Sequence, residues 1–291
     1  KSRGYATGLF GKWHLGFSDG TKPNDQGFDE FFGFHAGCID YYSHMFYWQE
    51  PHHHDLYRNR EEIHEEGQYM TDLIAREAMR FVEQHRAEPF LMYVAFNAPH
   101  YPMQAPKRLL DQYAQLPTMR RDYAALVAGL DEAIGKIMDR LRQHQLVEQT
   151  FVFFASDNGA GIELRANGGG GSNAPYRGHK SSLFEGGIHM PAVVSWPGHL
   201  LKGETRNAVA MSIDVLPTVA EAIGATLPSD SIIDGRSWMP VFKDPATAGH
   251  ERLFWKLGKQ EAMREGRWKL IHNALLTAEG DKKSVATDGD A

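Results

Sequence analysis

The stretch Phe90-Leu91-Met92-Tyr93-Val94-Ala95-Phe96 is almost entirely apolar, and Asn97-Ala98-Pro99-His100 follows it directly. A short run without alternation of apolar and polar residues is typical of a strand buried on both faces of a parallel sheet. The sequence therefore predicts a central parallel strand at residues 90–96, with a polar loop at its carboxyl end.

Helical and strand patterns alternate along the chain on both sides of this run. Strands are predicted at residues 5–10, 150–155 and 192–196, and helices at residues 68–82, 123–141 and 213–223. This alternation favours an α/β fold, with a largely parallel or mixed sheet sandwiched by helices. Residues 17–60 show no clear period, which predicts a long irregular segment over a site.

The pattern changes near residue 251. Short strands are predicted at residues 252–257 and 267–271, around the turn-like pair Glu265-Gly266. We therefore expect a catalytic domain at residues 1–250 and a small antiparallel C-terminal subdomain at residues 251–291. The polar residues 277–291 predict a frayed tail.

Composition excludes several classes of protein. The 291 residues are 42% hydrophobic, which is typical of a globular protein. Their net charge is −6, so the composition does not indicate a basic surface for nucleic acid. No apolar run approaches the ~20 residues of a membrane span. The single cysteine, Cys38, excludes an internal disulfide framework and is expected to be a small buried hydrophobe. Because Lys1 is neither a methionine nor part of a signal peptide, we expect the chain to be a fragment.

Three predicted strands end in polar residues that carry possible chemistry. Lys12 and His14 follow the first strand, Asn97 and His100 the second, and Asp157 and Asn158 the third. If these strands are parallel, the three groups meet at one edge of the sheet. Asp157 and Asn158 offer the oxygen ligands that Ca²⁺ or Mg²⁺ prefers, although Asp, Asn and Gly also form ordinary turns.

Cationic and imidazole side chains complete the set of candidates. Lys12 and Lys180 are fixed positive charges for an anion, whereas His14 and His100 can move protons near neutral pH. Each residue taken alone also fits an ordinary role, such as a solvated lysine or a half-buried histidine. The run His52-His53-His54 could chelate a transition metal, but no His-Glu-x-x-His motif accompanies it and solvation is the favoured interpretation.

Five motifs in order resemble the sulfatase family. Gly11-Lys12-Trp13-His14-Leu15-Gly16, within residues 4–16, is similar to the second signature of that family, and Ala98-Pro99-His100-Tyr101-Pro102 to its middle histidine motif. Ser156-Asp157-Asn158-Gly159 resembles the late metal motif, Arg177-Gly178-His179-Lys180 the lysine loop, and Gly266-Arg267-Trp268-Lys269-Leu270-Ile271 a strand of the C-terminal subdomain. The resemblance extends to about residue 272.

The resemblance implies an alkaline-phosphatase-like fold and hydrolysis of sulfate esters by a formylglycine made from cysteine or serine. It also implies one bound Ca²⁺, with Mg²⁺ less favoured. By match to the motifs, Asp157 and Asn158 are metal ligands, and Lys12 and Lys180 contact the sulfate or the formylglycine. His14 matches the histidine that helps the sulfated hemiacetal to collapse, and His100 matches one that contacts the sulfate near the leaving oxygen.

The sequence departs from the family pattern at the nucleophile. The family carries it in a Cys/Ser-x-Pro-Ser/Ala-x-Arg motif upstream of Gly-Lys-Trp-His, with two metal-binding aspartates further upstream, and these 291 residues hold none of these groups. Cys38 lies downstream and is followed by Ile39-Asp40, which does not fit the motif. We therefore expect the nucleophile upstream of this chain, and we expect the chain alone to be inactive on sulfate esters.

The resemblance also implies partners. These are a sulfated small molecule or sugar, with sugars favoured over steroids, and a formylglycine-generating or sulfatase-maturing enzyme. It places such a protein in the periplasm, the lysosome or outside the cell. Two alternatives stay open: a phosphodiesterase or phosphonate monoester hydrolase of the same superfamily, and a degenerate binding module without catalysis. The pair Gly-Lys-Trp-His-Leu-Gly and Gly-His-Lys-Ser-Ser favours the sulfatase.

Overall fold

A computed structural model describes residues 1–162 and 169–274. The chain divides into two compact units, which are Lys1–Val147 with Leu164–Gly170 and Glu148–Glu163 with Gly171–Ala291. The domain boundary expected at residue 250 stays a prediction, and the expected frayed tail lies outside the described residues. Within the described ranges, no helix has both the length and the hydropathy that a bilayer span requires.

The first unit is built on a mixed five-stranded sheet with the order β6-β5-β2-β1-β7. Its strands are β1 (Ala6–Lys12), β2 (Glu30–Phe34), β5 (Tyr57–Arg58), β6 (Glu61–Glu62) and β7 (Phe90–Ala95); β3 (Met45–Phe46) and β4 (His53–His54) form a separate antiparallel pair. The helices are α1 (Met70–Gln84), α2 (Lys107–Gln112) and α3 (Thr118–Gln143), with a 3-10 turn at Pro23–Gln26. β1 pairs in parallel with both β2 and β7.

The core of the first unit lies between the sheet and α1. The buried face of α1 includes Met70, Ile74 and Phe81, which join one hydrophobic cluster with Phe10 and Phe32 of the sheet. These residues recur at helical spacing on α1, so their burial explains why this segment is a helix. Complete burial of each such side chain contributes about 1.5–3 kcal/mol.

One carboxylate of α1 is buried beside this core. Glu77 accepts hydrogen bonds from Arg58 Nη1 and Arg80 Nε, each at 2.8 Å, and from Arg76 Nη2 at 2.9 Å. Burial alone would raise the pKa of Glu77, but these hydrogen bonds and charges lower its pKa to about 2. Glu77 therefore stays ionised and joins β5 to α1.

The described residues of the second unit form two small antiparallel sheets. β8 (Val152–Ala155) pairs with β9 (Ala192–Ser195), and β10 (Arg252–Leu257), β11 (Gln260–Glu265) and β12 (Trp268–His272) form the other sheet. Its helices are α4 (Glu185–Ile188), α5 (Val215–Ala222) and α6 (Met239–Lys243), and a 3-10 turn lies at Ser212–Asp214. Another 3-10 turn, at Val147–Gln149, includes the last residue of the first unit's main segment and the first residues of the second unit.

The predicted mixed sheet with helices and the small C-terminal antiparallel sheet are confirmed, but the predicted places of two strands were wrong. β7 is parallel as predicted, yet it lies at the edge of its sheet, and Tyr93 is 54% exposed. β8 was predicted to be parallel in that same sheet, but it pairs antiparallel with β9 in a separate one. An apolar run indicates a strand, but it carries no information about which neighbour the strand joins or in which direction.

Six of the described strands were missed: the two-residue strands β3 to β6 and the longer strands β2 and β11, which were missed for different reasons. β2 lies inside the segment predicted to be irregular, where Gly33 interrupts the apolar pattern. A Cβ atom at Gly33 would lie 1.9 Å from the Gly11 carbonyl oxygen, so the close approach of β2 to β1 requires glycine there. β11 was missed because it is largely polar; only Gln260 and Ala262 of it are fully buried.

Candidate active site

Lys12 and His14 lie where β1 ends. Lys12 is the last residue of β1 and pairs with Phe34 of β2, and the His14 backbone N–H donates to the His35 carbonyl oxygen at 2.9 Å. His14 has a φ of 59°, a left-handed conformation that histidine adopts more readily than most residues. A Cβ atom at Gly37 would lie 2.5 Å from His14 Nε2, so the His14 ring packs directly against the Gly37 backbone.

His100 lies in the loop that follows β7, and three hydrogen bonds orient it. Its backbone N–H donates to the Asn97 carbonyl oxygen at 2.7 Å, and its carbonyl oxygen accepts from the buried Tyr41 hydroxyl at 2.9 Å. Its Nδ1 lies 2.7 Å from the Tyr101 carbonyl oxygen. Because a carbonyl oxygen can only accept, Nδ1 carries a proton, and Nε2 is the atom that can gain or lose one.

Lys12, His14 and His100 lie at the same end of the sheet. β1 and β7 are parallel neighbours with Gly11 opposite Ala95, so Lys12 lies at the carboxyl end of β1, and His14 and His100 follow the carboxyl ends of β1 and β7. Ligands of α/β sheets collect beyond such ends. Asn97 is buried at the same end, and its Oδ1 has no hydrogen-bond partner among the described residues.

Asp157 and Asn158 follow β8 in the second unit. The Asn158 amide nitrogen donates to the Gly159 carbonyl oxygen at 3.0 Å, which leaves its Oδ1 oxygen as the side-chain atom for a ligand. Asp157 is exposed, and none of the described residues donates a hydrogen bond to its carboxylate. A carboxylate and an amide oxygen side by side fit a hard divalent cation, although they are only two of the 6–8 oxygens that Ca²⁺ usually takes.

The loop that carries Lys180 is hydrogen-bonded to the chain just beyond Asn158. The Lys180 backbone N–H donates to the Ala160 carbonyl oxygen at 3.1 Å, and Asn173 both accepts from Ala160 N at 2.8 Å and donates to Ala160 O at 3.0 Å. A Cβ atom at Gly159 would lie 1.8 Å from the Gly186 carbonyl oxygen. Residues 156–159 therefore pack closely against the backbone of α4, which follows the Lys180 loop, and Gly159 permits this contact.

Gln260 of β11 anchors the far side of the Lys180 loop. It is 5% exposed, its Nε2 donates to the Ser181 carbonyl oxygen at 2.8 Å, and its Oε1 accepts from Leu183 N at 3.2 Å. Sequence reasoning missed this residue because β11 was not predicted, and a lone glutamine gives no signal of its own.

The six candidates form two sets. One set lies at the carboxyl ends of β1 and β7 in the first unit and consists of Lys12, His14 and His100. The other set lies on hydrogen-bonded loops of the second unit and consists of Asp157, Asn158 and Lys180. β1 and β7 belong to one sheet, as predicted, but β8 belongs to another. Convergence of all six side chains in one cleft stays a prediction.

Among the residues that the structure describes, His54 is the one member of the histidine run that belongs to a candidate chelating group. Potential ligand atoms of His54, Glu62 and His64 lie within 4.8 Å of one another. The two imidazole rings are stacked, with centroids 4.4 Å apart, and His54 Nδ1 lies 2.9 Å from Glu62 Oε1. Stacked rings direct their nitrogen lone pairs side by side rather than toward a common point. The cluster as it stands is therefore a stacked pair of imidazoles, in which His54 pairs with Glu62 and His64 Nδ1 lies 2.9 Å from Glu66 Oε1.

Comparison with known protein families identifies the family of the chain. The family model described as Sulfatase matches residues 1–225, which is more than half of the chain. The chain belongs to the sulfatase family. A second model, described as N-sulphoglucosamine sulphohydrolase, C-terminal, matches residues 178–277. Sulfatases in general depend on calcium and on formylglycine.

Individual sulfatases resemble the chain along most of its length. Human N-acetylgalactosamine-6-sulfatase is 35% identical over 256 residues, which are 83% of this chain and 47% of the human protein, so the chain spans about half the length of that relative. The crystal structure of Ps i-CgsB in complex with k-i-k-neocarrahexaose matches with a TM-score of 0.83 and 28% identity, over 98% of this chain and 66% of that one.

The alkaline-phosphatase-like fold of this sulfatase chain has separate support. A protein of the alkaline phosphatase superfamily from Vibrio parahaemolyticus matches with a TM-score of 0.56 and 16% identity, over 93% of this chain and 55% of that chain. At that identity the likeness concerns the fold alone. The expected family and fold class are confirmed.

Proposed function

We propose that this chain contributes binding and proton-transfer groups to an enzyme that hydrolyses sulfate esters, with sulfated carbohydrates as the substrate class. The observation that carries the proposal is the arrangement at the carboxyl ends of β1 and β7, where Lys12, His14 and His100 follow adjacent parallel strands within motifs of the sulfatase family. A fixed cation and imidazoles at one edge suit an anionic ester whose cleavage builds charge on the leaving oxygen.

Lys12 and Lys180 would bind the sulfate group. A lysine ammonium is a compact charge with three donors, so it can neutralise sulfate oxygens without a demanding geometry. Charge that develops during cleavage is stabilised most strongly by groups already held in place. The backbone hydrogen bond from Lys180 to Ala160 and the position of Lys12 at the end of a strand both support such pre-organisation.

His100 would protonate the leaving oxygen. The Tyr101 carbonyl oxygen holds the Nδ1 proton, so Nε2 is the nitrogen that would deliver a proton to an alkoxide. His14 would serve the second half of the reaction, in which the sulfate is released. Its ring is confined by the Gly37 backbone, which limits the directions in which its nitrogens can act.

Asp157 and Asn158 would supply part of a calcium site. A bound divalent cation draws charge from sulfate oxygens, and Mg²⁺ fits the same oxygen donors less well when several protein ligands are required. The nucleophile is expected outside these 291 residues, as a formylglycine installed by a maturing enzyme. Sulfated sugars are supported as substrates by the human relative, named N-acetylgalactosamine-6-sulfatase, and by i-CgsB, crystallised with a neocarrahexaose.

The test uses the natural full-length gene product, co-expressed with a formylglycine-generating enzyme and assayed with Ca²⁺. We expect hydrolysis of 4-nitrophenyl sulfate and of sulfated oligosaccharides, and His100→Ala should lower kcat by about 10²–10⁴. His52→Ala, which removes an exposed histidine, is the matched control and should change kcat less than about twofold. Preferential hydrolysis of bis(4-nitrophenyl) phosphate would overturn the proposal, as would unchanged activity of the His100 variant.

A further inference from the structure

An aromatic pocket lies beside His100 in the first unit. Its cavity of about 330 Å³ is lined by Tyr47, Trp48, Tyr101 and Pro102. Small-molecule pockets measure about 300–1,000 Å³, so this one is large enough for a single small ring rather than for an extended ligand. None of its lining residues carries a charge at neutral pH, so the pocket is not built for the sulfate itself.

The pocket walls are fixed to one another. The Tyr47 hydroxyl donates to the Tyr101 carbonyl oxygen at 3.0 Å, and the rings of Trp48 and Tyr101 stack with their centroids 5.9 Å apart and an interplanar angle of 27°. Burial raises the pKa of the Tyr47 phenol, which therefore stays neutral and remains a donor. Three aromatic rings that are already ordered lose little conformational entropy when a ligand binds.

The same carbonyl oxygen links the pocket to His100. Tyr101 O accepts from the Tyr47 hydroxyl at 3.0 Å and from His100 Nδ1 at 2.7 Å. The His100 ring also packs on the Tyr101 ring, with centroids 4.1 Å apart. A ligand in the pocket would therefore lie against the residue that orients the proposed proton donor.

The chemistry of the walls selects the ligand class. Aromatic faces bind rings that present C–H groups, because the negative face of the π system attracts the slightly positive hydrogens. A pyranose has such a face and needs only a few polar contacts at its rim. Proline adds an apolar edge without a hydrogen-bond donor.

We infer that the pocket of Tyr47, Trp48 and Tyr101 binds an uncharged sugar ring of the substrate, next to the ring that carries the sulfate ester. This inference rests on the proposed function and extends it, because it assigns a subsite that requires an oligosaccharide. Trp48 provides the stacking platform, and Tyr101 couples the occupied subsite to His100.

The test compares two substrates in the mature full-length enzyme: a disaccharide that carries one sulfate ester beside an uncharged ring, and the matching sulfated monosaccharide. Trp48→Leu retains bulk without an aromatic face, and Trp48→Phe retains the face. We expect Trp48→Leu to lower the ratio of kcat/KM for the disaccharide to that for the monosaccharide by about 10-fold or more, mainly through KM, and Trp48→Phe to restore most of it. Trp268→Leu, at a 74% exposed tryptophan of the second unit, should leave the ratio unchanged.

A second measurement separates this inference from the proposed function. Calorimetric titration of the uncharged disaccharide core into wild-type and Trp48→Leu enzyme reports on the subsite without catalysis. Weaker binding by the variant supports the subsite, even if no sulfate ester proves to be a substrate. An unchanged substrate ratio, an equal loss on both substrates, or equal binding of the core by both proteins would overturn it.

Discussion

The two sets of candidate residues are held in different ways. In the first unit, Lys12, His14 and His100 follow strands that are hydrogen-bonded side by side, above a core of fully buried aromatic residues. In the second unit, Asp157, Asn158 and Lys180 lie on loops joined by a few individual hydrogen bonds and by one close glycine contact. Residues positioned by a sheet should tolerate single substitutions nearby, whereas residues positioned by loop contacts should not.

The largest expected effect is at the glycine contact of the second unit. Gly159→Ala would bring Cβ within 1.8 Å of the Gly186 carbonyl oxygen, so the segment that carries Asp157 and Asn158 must move away from α4, which follows the Lys180 loop. We expect kcat/KM of the full-length enzyme for a sulfate ester to fall by at least about 100-fold, because a misplacement of about 1 Å can cost that much. Retained activity would show that the two loops can separate without consequence.

Glu77→Gln should give the next largest effect, on the stability of the first unit. The lowered pKa of Glu77 means that its contribution is complete above the unfolded value of 4.5 and is lost as the pH falls toward about 2. We expect the variant to lose at most about 3 kcal/mol of unfolding free energy at pH 7, and less below pH 4. Urea unfolding at several pH values checks this, and equal losses at pH 7 and pH 3 would contradict it.

Gln260→Ala should have a smaller and more local effect. It removes the acceptor for Leu183 N and the donor to Ser181 O, so two backbone groups that closely follow Lys180 in the chain lose a hydrogen-bond partner. We expect a loss of about 1–3 kcal/mol in stability and a rise in KM for the sulfate ester. Gln260→Glu keeps the acceptor and should retain more of the substrate affinity. Equal KM values for both variants and the wild type would exclude a positioning role.

Gly135→Ala should have the smallest effect, and it is the matched control for Gly159→Ala. Gly135 lies within α3, and a Cβ atom there would meet no heavy atom within 4 Å. Alanine favours a helix over glycine, so we expect a gain of up to about 1 kcal/mol and unchanged activity. A lower melting temperature of the variant would contradict this prediction, because it would mean that a neighbouring group crowds position 135 of α3.

The sequence predicted single elements better than their assembly. The apolar runs that became β7 and β8 were recognised as strands, but pairing is a long-range property, and neither run carries a mark of its partner. β2 was hidden because Gly33, which the close packing requires, also interrupts the pattern. The site residues were found from motifs, whereas Gln260 acts through a distant contact that no local pattern reveals.

A crystal structure of the mature full-length enzyme with Ca²⁺ and a bound sulfate ester tests the central claim most directly. The account predicts that Asp157 and Asn158 coordinate the ion through side-chain oxygens at about 2.3–2.6 Å. It also predicts that the Nζ atoms of Lys12 and Lys180 and the Nε2 atom of His100 lie within hydrogen-bond distance of the ester. A sulfate ester bound elsewhere, or an ion held without Asp157 and Asn158, would contradict it.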